Sequence, residues 1–560
     1  MTYRPQTPIA GVVYPDPADL QFWSEQGALT SETLADGFRA AAEAHAGRNA
    51  LVWLGGRMTY AELDEASDKV AAGLLKLGLR PLDRVVFQLT NTPETLIAYI
   101  ACWKAAIIPI CTLAAHREAE IGYLAGFAGA KAHFIESDAE KFDFLAFARK
   151  MQAEVPSLER IISTRGDAGE AASFADMLDA DLAEARAMLA DVPQDPWQVA
   201  VFQLSGGTTG VPKIIPRINS EYIYNMRSVM TFKGWTAQDR MFVPMPFAHN
   251  LNMGCGWGPF LMSGGSVIAT PRVDQDAMRE VANELCPTVM GAAKPIVMRM
   301  KAEIAEGRIS TGSLREIFSS DAADIVSNDM GVPGHHIFGM TEGTIMFTRD
   351  GDAEFIRFNT CGRPISEHDR IKLLNPGSEE EVEAGQIGEL AVFGPYTIRG
   401  YYDAAERNAE AFTSDGFYRS GDLMKCHLID GVRYYSFEGR IKDVVDRAGE
   451  KVNCEEVERA VMAHPAFTDV AVVGMPSPTH GERICLYAVA GPNTALPDVK
   501  ELGAFLKAAG LAVFKWPERI ERIDALPLTR VGKLDKAVLR RLIADAIQAE
   551  DAASARSIKS

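Results

Sequence analysis

The sequence predicts an α/β fold: a large N-terminal domain of α/β subdomains with a β-rich segment, and a small α+β C-terminal domain. Three observations carry this. The chain has 560 residues, too many for one core at roughly 100–200 residues per domain. Short apolar runs alternate with stretches of helical periodicity, as in sheets covered by helices. From near Gly439 the pattern changes to a compact unit of about 110–120 residues, a normal small-domain size.

The elements follow in chain order. In Ala61–Leu77, residues Leu63, Ala66, Val70, Leu74 and Leu77 share one helical face, and Gly78 is a plausible stop. Strand-like runs occur at Arg84–Gln88, Val199–Leu204 and Ser266–Thr270. The segment Leu96–Ala115 is apolar enough to imitate a membrane span. Lys104 and Pro109 lie inside it, so it reads as a buried helix followed by a buried strand. Ala168–Leu189, rich in Ala, Asp and Glu, reads as a solvated helical linker. Gly388–Tyr401 reads as strands and turns. In the C-terminal unit, a helix at Glu455–Ala463 ends at Pro465. Strands follow at Val470–Pro476 and Ile484–Gly491, then helices at Val499–Ala508 and Lys536–Ala549. The residues from Asp551 on read as a frayed tail. No period of roughly 20–50 residues marks a repeat array.

Composition narrows the function. With 57 basic and 75 acidic side chains, the net charge is −18. Such a surface repels nucleic acid and anionic lipid, so neither is expected as a partner. The eight cysteines form no CxxC pair. That argues against a zinc cage or a disulfide framework and fits a reducing cytoplasm. The N-terminus lacks a charged segment followed by an apolar core, so no signal peptide is expected.

The strongest local signal is Leu204–Arg217, LSGGTTGVPKIIPR. An apolar strand runs into Ser205, Gly206, Gly207, Thr208, Thr209 and Gly210, and then Lys213. Glycines let a backbone approach a ligand closely, and successive N–H groups can face phosphate oxygens. It is not a Walker A loop, because Pro212 stands where that loop has glycine. The same composition also suits a Gly/Ser/Thr-rich surface loop.

SGGTTGVPK resembles the phosphate loop of the adenylate-forming superfamily, which contains acyl-CoA synthetases, luciferases and peptide-synthetase adenylation domains. Further segments stand in that family's order: FGMTEG (Phe338–Gly343), YRSGD (Tyr418–Asp422), EGRIKD (Glu438–Asp443), RAGEKV (Arg447–Val452) and TRVGK (Thr529–Lys533). The resemblance spans about residues 15–545.

It implies a ligase that uses ATP and Mg²⁺ and joins an acid to a thiol through an acyl-adenylate. It also implies a large domain over 1–438, a hinge at 439–442 and a small mobile domain over 443–560. By the same resemblance, Glu342 holds Mg²⁺, a role suited to carboxylate oxygen. Thr341 touches the α-phosphate. Lys213 belongs to the phosphate loop, and Phe338, Gly339 and Met340 line the nucleotide. Asp422 takes the ribose hydroxyls and Arg440 lies near ribose and phosphates. Lys442 is the hinge, Gly449 lines the path of the thiol arm, and Lys533 reaches the acid's carboxylate and the α-phosphate. The family's small turn beside adenine reads SSDAA here, Ser319–Ala323. Ser320 and Asp321 are then the adenine-side residues, with Asp321 near the amino group.

The acid is addressed by PFAHNLNMGCGWGP, Pro246–Pro259. This resembles the AHNYPL segment of stand-alone aryl-acid–AMP ligases of siderophore assembly, which activate 2,3-dihydroxybenzoate or salicylate. The flanks IPR (215–217), YIYN (222–225) and GPYTIRGYY (394–402) agree. His249, Asn250, Cys255 and Ile345 are the implied acid-binding residues, with Asn250 on the ortho hydroxyl. Enzymes for the dihydroxy acid carry Ser at the position of Cys255 and the smaller Val at that of Ile345. A buried hydroxyl without a partner costs on the order of 1–3 kcal/mol, so salicylate is favoured. Leu251, Asn252 and Lys294 depart from the subgroup, and their entry into the pocket would shift the acid.

The acceptor thiol is the phosphopantetheine of an aryl carrier protein or, alternatively, coenzyme A. A non-catalytic nucleotide-binding protein on this scaffold is the distant alternative. The set Lys533, Glu342 and Asp422 opposes it, since binding alone does not need them.

Overall fold

The computed structural model describes residues 2–205, 212–447, 450–477, 481–491, 494–529 and 533–557. They form two compact units. One is built from residues 2–205, 212–370 and 392–418, the other from 371–391 and 419 onward. The sequence boundary after 438 falls within the second unit. The reason is a four-stranded sheet, Arg370–Leu374, Ile387–Phe393, Tyr418–Ile429 and Val432–Arg440, whose strands pair mainly with one another.

The first unit contains two large sheets. In the seven-stranded sheet the order is Ala172–Ser173, Arg160–Ser163, Ala132–Ile135, Arg84–Phe87, Ile108–Ile110, Val199–Leu204, Ile214–Ile218. All neighbours are parallel except the last pair, where Leu204 stands opposite Ile214. The nine-stranded sheet has a parallel centre, including Val289–Gly291, Glu316–Ser319 and Gly334–Met340, and antiparallel strands at both ends. Parallel strands buried on both faces explain why these runs are continuously apolar.

The helix over Tyr60–Lys76 starts with a capping box between Thr59 and Glu62 and buries Leu63, Ala66, Val70 and Leu74. The apolar stretch near residue 100 is the buried helix Pro93–Lys104, then the strand Ile108–Ile110. Lys104 is buried but lies 2.7 Å from both Asp64 and Asp68. No described helix is long and apolar enough to cross a membrane.

Two sequence expectations are corrected. Ala168–Leu189 is not a solvated linker. It forms the edge strand Ala172–Ser173 and the helices Phe174–Leu178 and Leu182–Leu189, and it buries Phe174, Met177 and Leu189 in the main core. The acidic composition hid these few apolar anchors; even Arg186 is engaged, with Asp68 Oδ2 at 2.8 Å. The last helix also continues beyond Ala549, as Lys536–Ser557. Its extension is rich in alanine, the best helix former.

The rest of the second unit is the α+β fold expected. Strands Phe467–Ser477 and Gly481–Ala490 pair antiparallel, and Arg519–Arg522 adds parallel to the latter. Helices Cys454–Met462 and Val499–Ala508 pack on this sheet through Val457, Val461, Leu502 and Leu506.

Candidate active site

Open α/β sheets place their ligands beyond the carboxyl ends of the parallel strands. In the first unit, three of the sequence motifs lie at such ends. Strand Val199–Leu204 leads to Ser205, whose N–H donates to the Lys213 carbonyl at 3.0 Å. The Ser205 hydroxyl in turn accepts from the Lys213 N–H at 3.2 Å. This closes the neck of the expected phosphate loop. Gly206, Gly207, Thr208, Thr209 and Gly210 lie outside the described residues.

Strand Glu316–Ser319 ends at the adenine-side turn. There the Ser319 and Ser320 hydroxyls both reach Asp321 Oδ1 at 3.3 Å. The adjacent parallel strand Gly334–Met340 carries Phe338, Gly339 and Met340, then turns at Thr341–Glu342 into Gly343–Phe347. Gly343 has φ +135°, and a Cβ there would stand 2.6 Å from Thr397 Cα. The following Thr344 is buried and left-handed at φ 58°. Such strain is held by surrounding structure and concentrates at functional sites.

The turn aims Glu342 at Tyr401, whose hydroxyl donates to Glu342 Oε1 at 2.8 Å. Tyr401 also meets the Tyr418 hydroxyl at 2.9 Å, and its ring lies 4.9 Å from Lys213 Nζ. Burial, and then the Glu342 charge, push the Tyr401 hydroxyl above its ordinary pKa, so it stays a donor. One Glu342 oxygen is thus oriented, and the other has no hydrogen-bond partner among the described residues. That arrangement fits a hard divalent cation, which prefers carboxylate oxygen.

Three of the expected acid-binding residues, Asn250, Cys255 and Ile345, are buried. Asn250 is buried and its Oδ1 accepts from the Tyr222 hydroxyl at 2.7 Å. Cys255 sits in a π-helical turn, Met253–Trp257, a local form often found at functional sites. Burial pushes its thiol up to about 12, so it is a neutral, weakly polar wall. The Arg217 charge bears on the Cys255 thiol, and Cys255 bears on the Tyr222 hydroxyl. Ile345 is buried, and its N–H donates to the Tyr396 hydroxyl at 3.1 Å. His249 begins the short helix that carries Asn250. Its Nδ1 accepts from the Leu251 N–H at 3.2 Å and caps that helix. Asn252 is spent on backbone: its amide donates to the Val243 and Met245 carbonyls at 3.2 and 2.7 Å.

Arg217, Tyr222, Tyr396 and Tyr401 join this region although the sequence motifs do not single them out. The signal was present, since all four lie in the flanks IPR, YIYN and GPYTIRGYY. Arg217 is fully buried. Its Nε donates to Glu221 at 2.9 Å, and one terminal nitrogen donates to the Thr341 carbonyl at 3.1 Å. Burial works against its charge, but Glu221 outweighs it and holds the guanidinium above its ordinary pKa.

In the second unit, Asp422 and Arg440 stand opposite each other on neighbouring strands, with Arg440 Nε 2.9 Å from Asp422 Oδ1. Lys442 lies in the 3₁₀ turn Ile441–Asp443, and its carbonyl accepts from Arg540 at 3.3 Å. Arg540 also pairs with Asp443. Lys533 is exposed, and its N–H donates to the Thr529 hydroxyl at 3.1 Å. Gly449 lies outside the described residues.

These motifs lie along a chain that matches two family models. Residues 38–402 match the AMP-binding enzyme family, and residues 456–533 match the AMP-binding enzyme C-terminal domain. The chain belongs to the AMP-binding enzyme family. This AMP-binding enzyme is 37% identical over 536 residues to the 2,3-dihydroxybenzoate-AMP ligase of Bacillus subtilis (strain 168), covering 94% of this chain and 96% of that one. It is 35% identical over 499 residues to the salicyl-AMP ligase / salicyl-S-ArCP synthetase of Mycobacterium tuberculosis (strain ATCC 25618 / H37Rv), covering 87% and 86%. Its fold matches the apo structure of Mycobacterium smegmatis MbtA with a TM-score of 0.71 and 31% identity, over 95% and 99% of the two chains.

One carboxylate–imidazole group lies apart from these motifs, at Glu316, His335 and Asp350. Lys233 Nζ stands 3.4 Å from Glu316 Oε1, and the Trp235 indole N–H donates to the same oxygen at 2.8 Å. A resident ammonium and a donor already satisfy that carboxylate, so the group reads as structural.

Proposed function

We propose that this enzyme activates salicylate as salicyl-AMP with release of pyrophosphate, then passes the acyl group to the phosphopantetheine thiol of an aryl carrier protein. The observation that carries the acid is that both Asn250 and Cys255 are buried, with the Cys255 thiol neutral. An amide suits one ortho hydroxyl, whereas a thiol is a weak partner for a second.

In the first step, a carboxylate oxygen of the acid attacks the α-phosphorus of ATP. The bond to the bridging oxygen of the β-phosphate breaks and pyrophosphate leaves. Mg²⁺ held by Glu342 would offset charge on the phosphate oxygens. Tyr401 fixes the Glu342 carboxylate, and Thr341 and Lys213 bind phosphate. Asp422, with Arg440 beside it, receives the ribose. Ser320, Asp321, Phe338, Gly339 and Met340 form the nucleobase side. Lys533 offsets charge that builds as the carboxylate meets phosphorus, an interaction strongest in the transition state. In the second step, the thiol sulfur attacks the acyl carbon, the acyl–phosphate C–O bond breaks, AMP leaves and the thiol proton is released.

The Bacillus relative's name favours 2,3-dihydroxybenzoate as a second reading. ATP–pyrophosphate exchange across a benzoic-acid panel decides the acid, and thioester trapping with carrier protein and with coenzyme A decides the acceptor. Exchange highest with 2,3-dihydroxybenzoate would overturn salicylate, and no exchange with any aryl acid would overturn the activity.

A further inference from the structure

Asn250 has a carbonyl oxygen that accepts and an amide nitrogen that donates, and the two ends look alike in shape. Which end faces outward decides what an ortho substituent must offer. Its neighbours settle the direction. Arg217 approaches Asn250 Oδ1 with a terminal nitrogen at 3.5 Å. A guanidinium has no acceptor, so the Asn250 atom facing it is the oxygen. The Tyr222 hydroxyl lies 2.7 Å from the same atom and therefore donates to it. Having donated its hydrogen, that hydroxyl can accept, and Gln203 Nε2 stands 3.4 Å away. The directions run consistently from Gln203 to Tyr222 to Asn250.

The framework behind this arrangement is rigid. Arg217 and Tyr222 are fully buried, and the guanidinium lies 4.4 Å from the centre of the Tyr222 ring. Glu221 holds Arg217 Nε at 2.9 Å and also accepts the Ile218 N–H at 2.8 Å. The same Arg217 nitrogen that faces Asn250 donates to the Thr341 carbonyl at 3.1 Å. A flipped Asn250 would set two donors against each other in a dry interior, where an unpaired polar group is costly. Among the described residues, no protein acceptor takes the Asn250 Nδ2 hydrogens.

We propose that Tyr222 and Arg217 are positioning residues that lock the Asn250 amide oxygen inward, so that the acid pocket presents only donors at this point and selects aryl acids whose ortho substituent accepts a hydrogen bond. The inference rests on the aryl-acid reading above. A salicylate phenol turns its own O–H toward its carboxylate and leaves an oxygen lone pair for Asn250 Nδ2. The amine of 2-aminobenzoate is conjugated with the ring and accepts poorly, and its N–H groups would meet N–H groups. The lock thus excludes ortho-amino acids of nearly the same size and shape.

The test measures kcat/KM for pyrophosphate exchange with salicylate, 2-aminobenzoate and benzoate, in the wild type and in Tyr222→Phe. The wild type should favour salicylate over 2-aminobenzoate by at least about tenfold. Tyr222→Phe keeps the ring under Arg217 and removes the 2.7 Å contact, which leaves the amide oxygen only the long 3.5 Å contact to Arg217, too weak to hold the amide against turning. The salicylate to 2-aminobenzoate ratio should then fall by about tenfold while benzoate changes little. A purely structural loss would lower all three acids together and leave the ratio intact; an unchanged ratio in folded Tyr222→Phe overturns the proposal. Should that variant fail to fold, Asn250→Asp presents only acceptors and keeps a partner in Arg217. It should move the ratio toward 2-aminobenzoate, and an unmoved ratio there overturns the proposal equally. A wild type inactive with all three acids, and with every other aryl acid, overturns the aryl-acid reading itself and this proposal with it.

Discussion

The Tyr401 hydroxyl donates to Glu342 Oε1 at 2.8 Å while its ring lies beneath the Lys213 ammonium at 4.9 Å. One side chain therefore orders the carboxylate proposed to hold Mg²⁺ and the lysine of the phosphate loop. Tyr401→Phe separates the two contacts, because the ring stays and the hydroxyl goes. A hydrogen bond to a charged group contributes about 1.5–3 kcal/mol. The apparent Mg²⁺ concentration for half-maximal exchange is expected to rise about tenfold, with little change in the KM for the acid. An unaltered Mg²⁺ titration would remove Tyr401 from this role.

Lys533→Ala is expected to abolish adenylation and largely spare ATP binding. The lysine is assigned to charge that develops only as the carboxylate approaches phosphorus, so its loss falls on rate more than affinity. Pyrophosphate exchange and equilibrium ATP binding read the two separately. Near-normal exchange in this variant would end the assignment.

Cys255→Ser is expected to raise the preference for 2,3-dihydroxybenzoate over salicylate about fivefold. The substitution nearly conserves volume and replaces a buried thiol, pushed up to about 12, with a hydroxyl that can pair with a second phenol. Such a bond contributes about 1 kcal/mol. A constant ratio would show that Cys255 does not touch the ring's third position.

Asp369 gives a pH prediction. Its Oδ2 accepts from the Tyr396 hydroxyl at 2.6 Å, its Oδ1 is buried, and burial raises its pKa from 3.8 to about 7. The folded state therefore holds this proton where the unfolded state has lost it. Stability from the protonated form is fully present below about 3.8 and is lost as pH rises towards about 7. Asp369→Asn carries no such charge, so its Tm relative to wild type should rise between pH 4 and pH 7.5. A pH-independent difference would show that Asp369 does not bind the proton in this window.

Much of this molecule was legible because its signals are local. The capping box at Thr59 and the apolar face from Leu63 to Leu74 locate a helix without tertiary knowledge. Glu342, Asn250 and Cys255 lie in short motifs that can be read locally. What escaped depends on partners far along the chain. Arg217 is an ordinary basic residue until Thr341 and Tyr396, more than a hundred positions later, supply its acceptors. Phe174 and Met177 look like minor interruptions in an acidic stretch until the helix Tyr60–Lys76 covers them; a Cβ on Gly73 would stand 2.5 Å from Met177. The cap that His249 Nδ1 supplies to the Leu251 N–H is another feature that the motif alone does not announce.

Lys442 leads to the last prediction. It sits in a three-residue turn between the strands Val432–Arg440 and Val444–Arg447. Arg540 holds that turn by donating to the Lys442 carbonyl at 3.3 Å and pairing with Asp443. Burial, followed by the nearby Arg440 charge, lowers the Lys442 pKa, so the ammonium is not simply solvated. If Lys533 serves adenylation and the segment around Gly449 serves the thiol, the small domain must change its presentation between steps, and a few backbone angles must absorb the change. Proline at 442 fixes φ near −65° and removes the N–H. Lys442→Pro is therefore expected to keep much of the pyrophosphate exchange and lose most thioester formation. Lys442→Ala keeps backbone freedom and should retain both. Releasing the turn by Arg540→Ala should leave thioester formation intact. The decisive quantity is the ratio of thioester formation to exchange in each variant. A proline variant in which both half-reactions fall equally would remove the case for a hinge at Lys442 and leave it as one more anchor of the C-terminal fold.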